Sequence, residues 1–144
     1  MLRITLGIVV GVVVGFIAVM TAQLGVNFIY PAPRDVLNRE LMMEFFRNMP
    51  TGHVALVLLT YLIGGFVGSM LARIISLRSG PAWVPAVLIA LTAALNVLTY
   101  PHPVWAQIIA VAAPLLGCWL ALKLAGPPPP PVYAVDEEQA DAQI

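Results

Sequence analysis

Apolar residues in this chain do not alternate with polar ones but run on in long blocks. Four such blocks cover residues 4–29, 54–75, 83–100 and 104–124, and none carries Asp, Glu, Lys or Arg before its last turn. At 1.5 Å rise per residue, about 20 residues cross a hydrocarbon core of about 30 Å, so each block is close to the length of one crossing. A backbone N–H in lipid can pair only with another backbone group, and within a single segment only the α-helix achieves this. A barrel strand would be about half as long and would alternate in polarity. The pattern predicts an all-α membrane protein, a four-transmembrane-helix bundle.

Between the first two blocks the period changes. Residues 35–49 place Leu37, Leu41 and Phe45, with Met42, Phe46 and Met49, on one helical stripe, and Asn38, Arg39, Glu40, Glu44 and Arg47 on the other side. This predicts an amphipathic helix in the membrane interface, with Asp35 complementing its N-terminal dipole. The same stripe would also serve as a lid packed over the end of the bundle. Past Ala125 the apolar pattern stops at Gly126, the prolines 127–131 and the acidic Asp136, Glu137, Glu138 and Asp141. The division is therefore a membrane domain over 1–125 and a proline-rich, disordered tail over 126–144.

Composition sharpens this picture. Of 144 residues, 60% are hydrophobic and 10% charged, against about 25% charged in soluble domains. Seven basic and seven acidic side chains cancel, leaving no basic patch to hold nucleic acid. Arg3 before an apolar block resembles the start of a secretory signal, but a signal core is about 7 to 15 residues long. This block continues past Leu24, so a retained first helix is expected. Arg3, Arg73, Arg78 and Lys123 fall on one side, whereas Arg34, Arg39 and Arg47 on the other are accompanied by Asp35, Glu40 and Glu44. By the bias of Lys and Arg, both termini are expected in the cytoplasm.

A motif recurs. Asn27-Phe-Ile-Tyr30-Pro31-Ala-Pro33 ends the first block, and Asn96-Val-Leu-Thr-Tyr100-Pro101-His-Pro103 ends the third, seventy positions later. Two readings stand. Tyr favours membrane interfaces and Pro stops helices, which would produce such likeness without common origin. Alternatively the chain is two parallel helical-hairpin repeats, with a pocket on the outer face. The residues placed there are Asn27, Tyr30, His53, Asn96, Tyr100 and His102.

Small residues recur at helical spacing as Gly7, Gly11 and Gly15 and as Gly64, Gly65 and Gly68. In lipid, close backbone approach replaces the hydrophobic effect as the force between helices, so these faces predict helix packing, inside the bundle or between copies. The polar residues within the blocks, Gln23, Asn27, Thr60, Tyr61, Thr92, Asn96 and Gln107, are all neutral. A proton-coupled carrier ordinarily keeps an ionisable side chain at membrane depth, so that class is disfavoured. His53 and His102 share an end with Met42, Met43 and Met49, soft ligands that suit copper, but without the spacing of a known site. Cys118 has no basic neighbour to make it a thiolate. No catalytic group, cofactor or metal is expected.

Tyr30-Pro31-x-Pro33, Gly64-Gly65-Phe-Val-Gly68 and Tyr100-Pro-His-Pro-x-Trp105 together resemble small bacterial four-helix membrane proteins of unassigned function. The resemblance covers residues 1–125 and implies a bacterial inner membrane. Gly64-Gly-x-x-Gly68-Ser-x-x-Ala-Arg73 is also similar to the glycine-rich opening of fluoride channels. Here, however, it lies in the second block, with Arg73 displaced by one position and no polar track after it. The sequence therefore favours a non-enzymatic structural or accessory component of a membrane complex, with the lipid bilayer and a second copy or another membrane protein as partners. The alternative is a small oligomeric channel or transporter arranged around Asn27, Asn96 and Gln107.

Overall fold

The computed structural model describes residues 1–31, 33, 35 and 37–127. They form α1 (Leu2–Ile29), α2 (Arg39–Arg47), α3 (Thr51–Ser76), a 3-10 turn (Gly80–Ala82), α4 (Trp83–Thr99) and α5 (Val104–Ala125). There are no strands among the described residues. Four helices, α1, α3, α4 with its leading turn, and α5, are long and apolar enough to cross a membrane. Residues 128–144 of the expected tail lie outside the described residues.

The helices run up and down, and α3 is the hub, packed against α1, α4 and α5. Its seam with α1 is built by glycine. A Cβ on Gly11 would stand 2.6 Å from the Gly68 carbonyl oxygen, and one on Gly7 would stand 2.9 Å from that of Ala72. On the opposite side of α3, a Cβ on Gly117 of α5 would meet the Phe66 nitrogen at 2.7 Å, and one on Gly65 would meet the Pro114 Cα at 2.6 Å. Each glycine thus lets two backbones meet, and dispersion between the many atoms brought within reach holds the pair.

All six glycines singled out from sequence are buried in these seams. They pack the helices of the bundle against one another. Large apolar side chains point outward instead, as along α1 at Leu6, Val9, Val13, Ile17, Met20 and Leu24.

Several boundaries differ from the expected ones. Pro50 stands at the N-cap of α3 and starts it at Thr51 rather than at 54. Leu77 closes the same helix in the left-handed region at φ 56°, and the 3-10 turn then leads into α4. The amphipathic helix starts at Arg39, not 35, because the Asn38 side chain accepts hydrogen bonds from the Glu40 and Leu41 amides at 3.1 and 3.3 Å. An Asn in this role satisfies N–H groups that the first turn leaves free. Leu37 consequently lies outside the helix and is 92% exposed.

The two hairpins do not pack alike. A two-fold axis exchanging α1 with α4 and α3 with α5 would carry the α3–α4 contact onto α5 and α1, yet α5 makes no comparable contact with α1 among the described residues. The matched motifs are nevertheless alike locally. Tyr30 and Tyr100 each donate a backbone N–H to the carbonyl four residues earlier, at 2.9 and 3.1 Å, and each precedes a proline that cannot continue the helix.

Candidate functional site

Where α1 ends, α3 begins, α4 ends and α5 begins, the bundle opens into a cavity of about 210 Å³. Its walls take Gln23, Val26 and Asn27 from α1, Val54, Val57, Leu58 and Tyr61 from α3, Asn96 and Val97 from α4, and Ala106 and Ala110 from α5. Helix α2 lies across the opening with Met42, Phe45 and Phe46, and Met49 follows it. Four residues of the apolar stripe read from sequence, Met42, Phe45, Phe46 and Met49, thus face the chamber as a lid, whereas Leu37 and Leu41 are exposed. Val19, Ile89 and Ala113 belong to the packed core, with which the chamber shares Val54, Leu58 and Tyr61.

The lid is held by rings. Tyr30 stacks on His53 at 5.0 Å between centroids and 6° between planes, and Phe45 meets the same imidazole edge-on at 5.6 Å. Phe45 contacts Phe46 at 5.7 Å; Phe46 in turn stacks on Tyr100 at 4.3 Å and leans on His102 at 5.1 Å. Six rings thus link the two Tyr-Pro motifs through the lid. Such pairs contribute about 0.5 to 1.5 kcal/mol each beyond their area. Gly52 leaves the space that the Tyr30 ring fills, since a Cβ there would stand 3.0 Å from the Tyr30 hydroxyl. No residue of α2 is itself fully buried.

All six residues of the pocket proposed from sequence gather at this end. Asn27, His53, Asn96 and His102 line the cavity, while Tyr30 and Tyr100 clasp its rim through ring stacking. Gln107 does not join them, because its amide donates to the His102 carbonyl at 2.9 Å and braces the α4–α5 loop. Thr60 and Thr92 donate to carbonyls of their own helices at 2.7 and 2.9 Å and line no polar path. Gln23 and Tyr61 are chamber residues that the sequence reading left out of the pocket. The signal was present in the spacing, with Gln23 one turn before Asn27 and Tyr61 two turns after His53.

Polar groups here are neutral and largely unpaired. His53 is 4% exposed, and neither ring nitrogen has a hydrogen-bond partner among the described residues; Nδ1 is sealed from solvent. A buried donor left unsatisfied costs about 1 to 3 kcal/mol. The Asn27, Asn96 and Gln23 amides are not sealed in the same way: Asn27 is exposed and Asn96 and Gln23 are half-buried, with Gln23 beside the Tyr61 hydroxyl. His102 is fixed differently. Its Nδ1 lies 2.9 Å from the Tyr100 carbonyl, an acceptor only, so Nδ1 carries a proton and donates it, leaving Nε2 as the nitrogen free to face the chamber.

Among the described residues, no lysine, arginine, aspartate or glutamate lines the chamber. Among the described residues no three of His, Cys, Asp and Glu cluster as metal ligands. Cys118, 0% exposed, faces the Ala82 carbonyl at the far side of the core. The arrangement offers hydrogen bonds and apolar walls, without a nucleophile or a charged acid and base.

Comparison with protein-family models, with curated proteins and with solved structures finds no match to this chain. The likeness to small bacterial four-helix membrane proteins accordingly rests on the motifs alone.

Proposed function

We propose that this chain is a multi-pass protein of a bacterial inner membrane that binds a small neutral molecule in the α2-capped chamber and serves a membrane complex as a non-enzymatic accessory component. One observation carries the reading: a buried imidazole whose Nδ1 has no partner among the described residues, in a lidded cavity that the Asn27, Asn96 and Gln23 amides also line. An unpaired buried group is costly, and a ligand that hydrogen-bonds to it offsets that cost. The outward ridge on α1 supports membrane insertion, since lipid is the solvent that tolerates it. Arg3, Arg78 and Lys123 at the opposite end from α2 support cytoplasmic termini.

The geometry favours binding over conduction. Close backbone packing through the glycine seams below the chamber supports a binding pocket more than a path through one chain. The test is solvent extraction and mass analysis of molecules carried by the purified protein, beside its His53→Phe and Asn96→Leu variants. The reading expects a molecule near one per chain in the wild type and its loss from both folded variants. A wild type that carries nothing while forming an ion-conducting oligomer would replace it with the channel reading.

A further inference from the structure

A second depression lies on the outer side of the α1–α3 pair, lined by Ala22, Gly25, Ile29, Leu56, Leu59 and Ile63, with Val26 and Thr60 between them. Val26 also lines the chamber, so the two spaces meet at a shared side chain. The cause lies in the seam below. Glycines hold α1 and α3 together up to Gly15 and Gly64, and beyond that point small residues no longer face each other. A Cβ on Gly25 would meet nothing within 4 Å. The groove is apolar and opens sideways, toward the surface that the long helices present outward.

The chamber's chemistry narrows what could occupy both spaces. Its lining is neutral, which disfavours a phosphate-bearing head. Amide groups of Asn27 and Asn96 and the imidazole of His53 face the space, and His102, its Nδ1 engaged by the Tyr100 carbonyl, adds Nε2. Phe45, Phe46 and Tyr61 supply flat apolar faces. A cavity of about 150 Å³ holds benzene, so 210 Å³ suits one six-membered ring with substituents. Resting on the binding role proposed above, we infer that the ligand is a neutral lipid of the quinone and quinol class. Its ring lies in the chamber, its oxygens pair with the amides and imidazoles, and its tail leaves between α1 and α3 past Val26.

The experiment uses the protein in lipid nanodiscs with methionine methyls labelled by 13C. Met42 and Met49 line the chamber, whereas Met20 and Met70 do not and serve as internal references. The probes are a benzoquinone bearing a ten-carbon tail and the same ring without a tail, each titrated by mole fraction in the lipid. Expected are saturable shifts of Met42 and Met49 alone. Gly25→Leu, which fills the groove where space is open, should weaken the tailed probe about tenfold and leave the bare ring unchanged.

If Gly25→Leu affects neither probe, or both alike, the sideways path is overturned while a chamber ligand stands. If neither probe moves Met42 and Met49, the quinone class is overturned. The binding role falls with it only if the purified protein also carries no other molecule.

Discussion

Gly11→Ala offers the sharpest test of how the bundle is held together. The added methyl would stand 2.6 Å from the Gly68 carbonyl oxygen, 2.8 Å from the Ala72 Cβ and 3.0 Å from the Pro85 Cγ. The nearest of these is backbone, which cannot rotate away, so α1 must lift from α3 along the seam. Overpacking of this kind costs about 1 to 3 kcal/mol, set against a helix-propensity gain of at most about 1 kcal/mol for Gly→Ala. A net loss of about 1 kcal/mol follows, roughly a fivefold change in the folding equilibrium. Gly25→Ala is the control, because its methyl meets nothing within 4 Å. It should be neutral or slightly stabilising. Both can be read by unfolding in mixed micelles with rising dodecyl sulfate, followed by helical circular dichroism and tryptophan fluorescence. The seam argument is refuted if Gly11→Ala lies within about 0.5 kcal/mol of the wild type, the range of ordinary surface changes.

Four further outcomes are expected. Asn38→Ala removes the cap of α2 at a cost of about 1 kcal/mol, so hydrogen exchange should speed up about fivefold in α2 and stay unchanged in α3; equal rates in α2 would count against the cap. Phe46→Ala breaks the rings shared with Tyr100 and His102, and protease cleavage within 31–50 should rise without unfolding the bundle. His53→Phe removes unpaired nitrogens while keeping ring stacking, so the ligand-free protein should be as stable as the wild type or more so, by about 1 to 3 kcal/mol, yet retain no ligand; a less stable protein would mean that the imidazole has a structural partner. Cys118, fully buried, should resist maleimide labelling until the bundle is unfolded, and fast labelling in the native state would place α5 wrongly.

The long helices were legible because lipid-length apolar runs have no other stable outcome. Their partners were not. The spacing of Gly7, Gly11 and Gly15 announces close packing, but only the fold shows that Ala72, Gly68 and Gly64 receive it, because a small-residue stripe does not name the helix opposite. Pro114 illustrates the same limit: it lies within the fourth apolar run, but only the fold shows that it sits inside α5 against Gly65. The start of α2 was misplaced because Asn38 looks like one more polar-face residue until its side chain is seen bonding the Glu40 and Leu41 amides. The chamber residues were half legible. Asn27 and Asn96 stand out within matched motifs, and the two histidines are the only ones in the chain. Phe45 and Phe46 looked like an apolar stripe of any amphipathic helix, and nothing in their spacing shows that the stripe turns inward onto His53.

The central claim is that α2 closes a chamber in which His53 meets a bound neutral molecule, and the most direct measurement is an experimental structure of the protein extracted in its own lipids. The account predicts a molecule filling the chamber within hydrogen-bond distance of the His53 imidazole, with α2 docked through Phe45 and Phe46. A chamber closed by its own side chains, or α2 lying away from the end of the bundle, would contradict it.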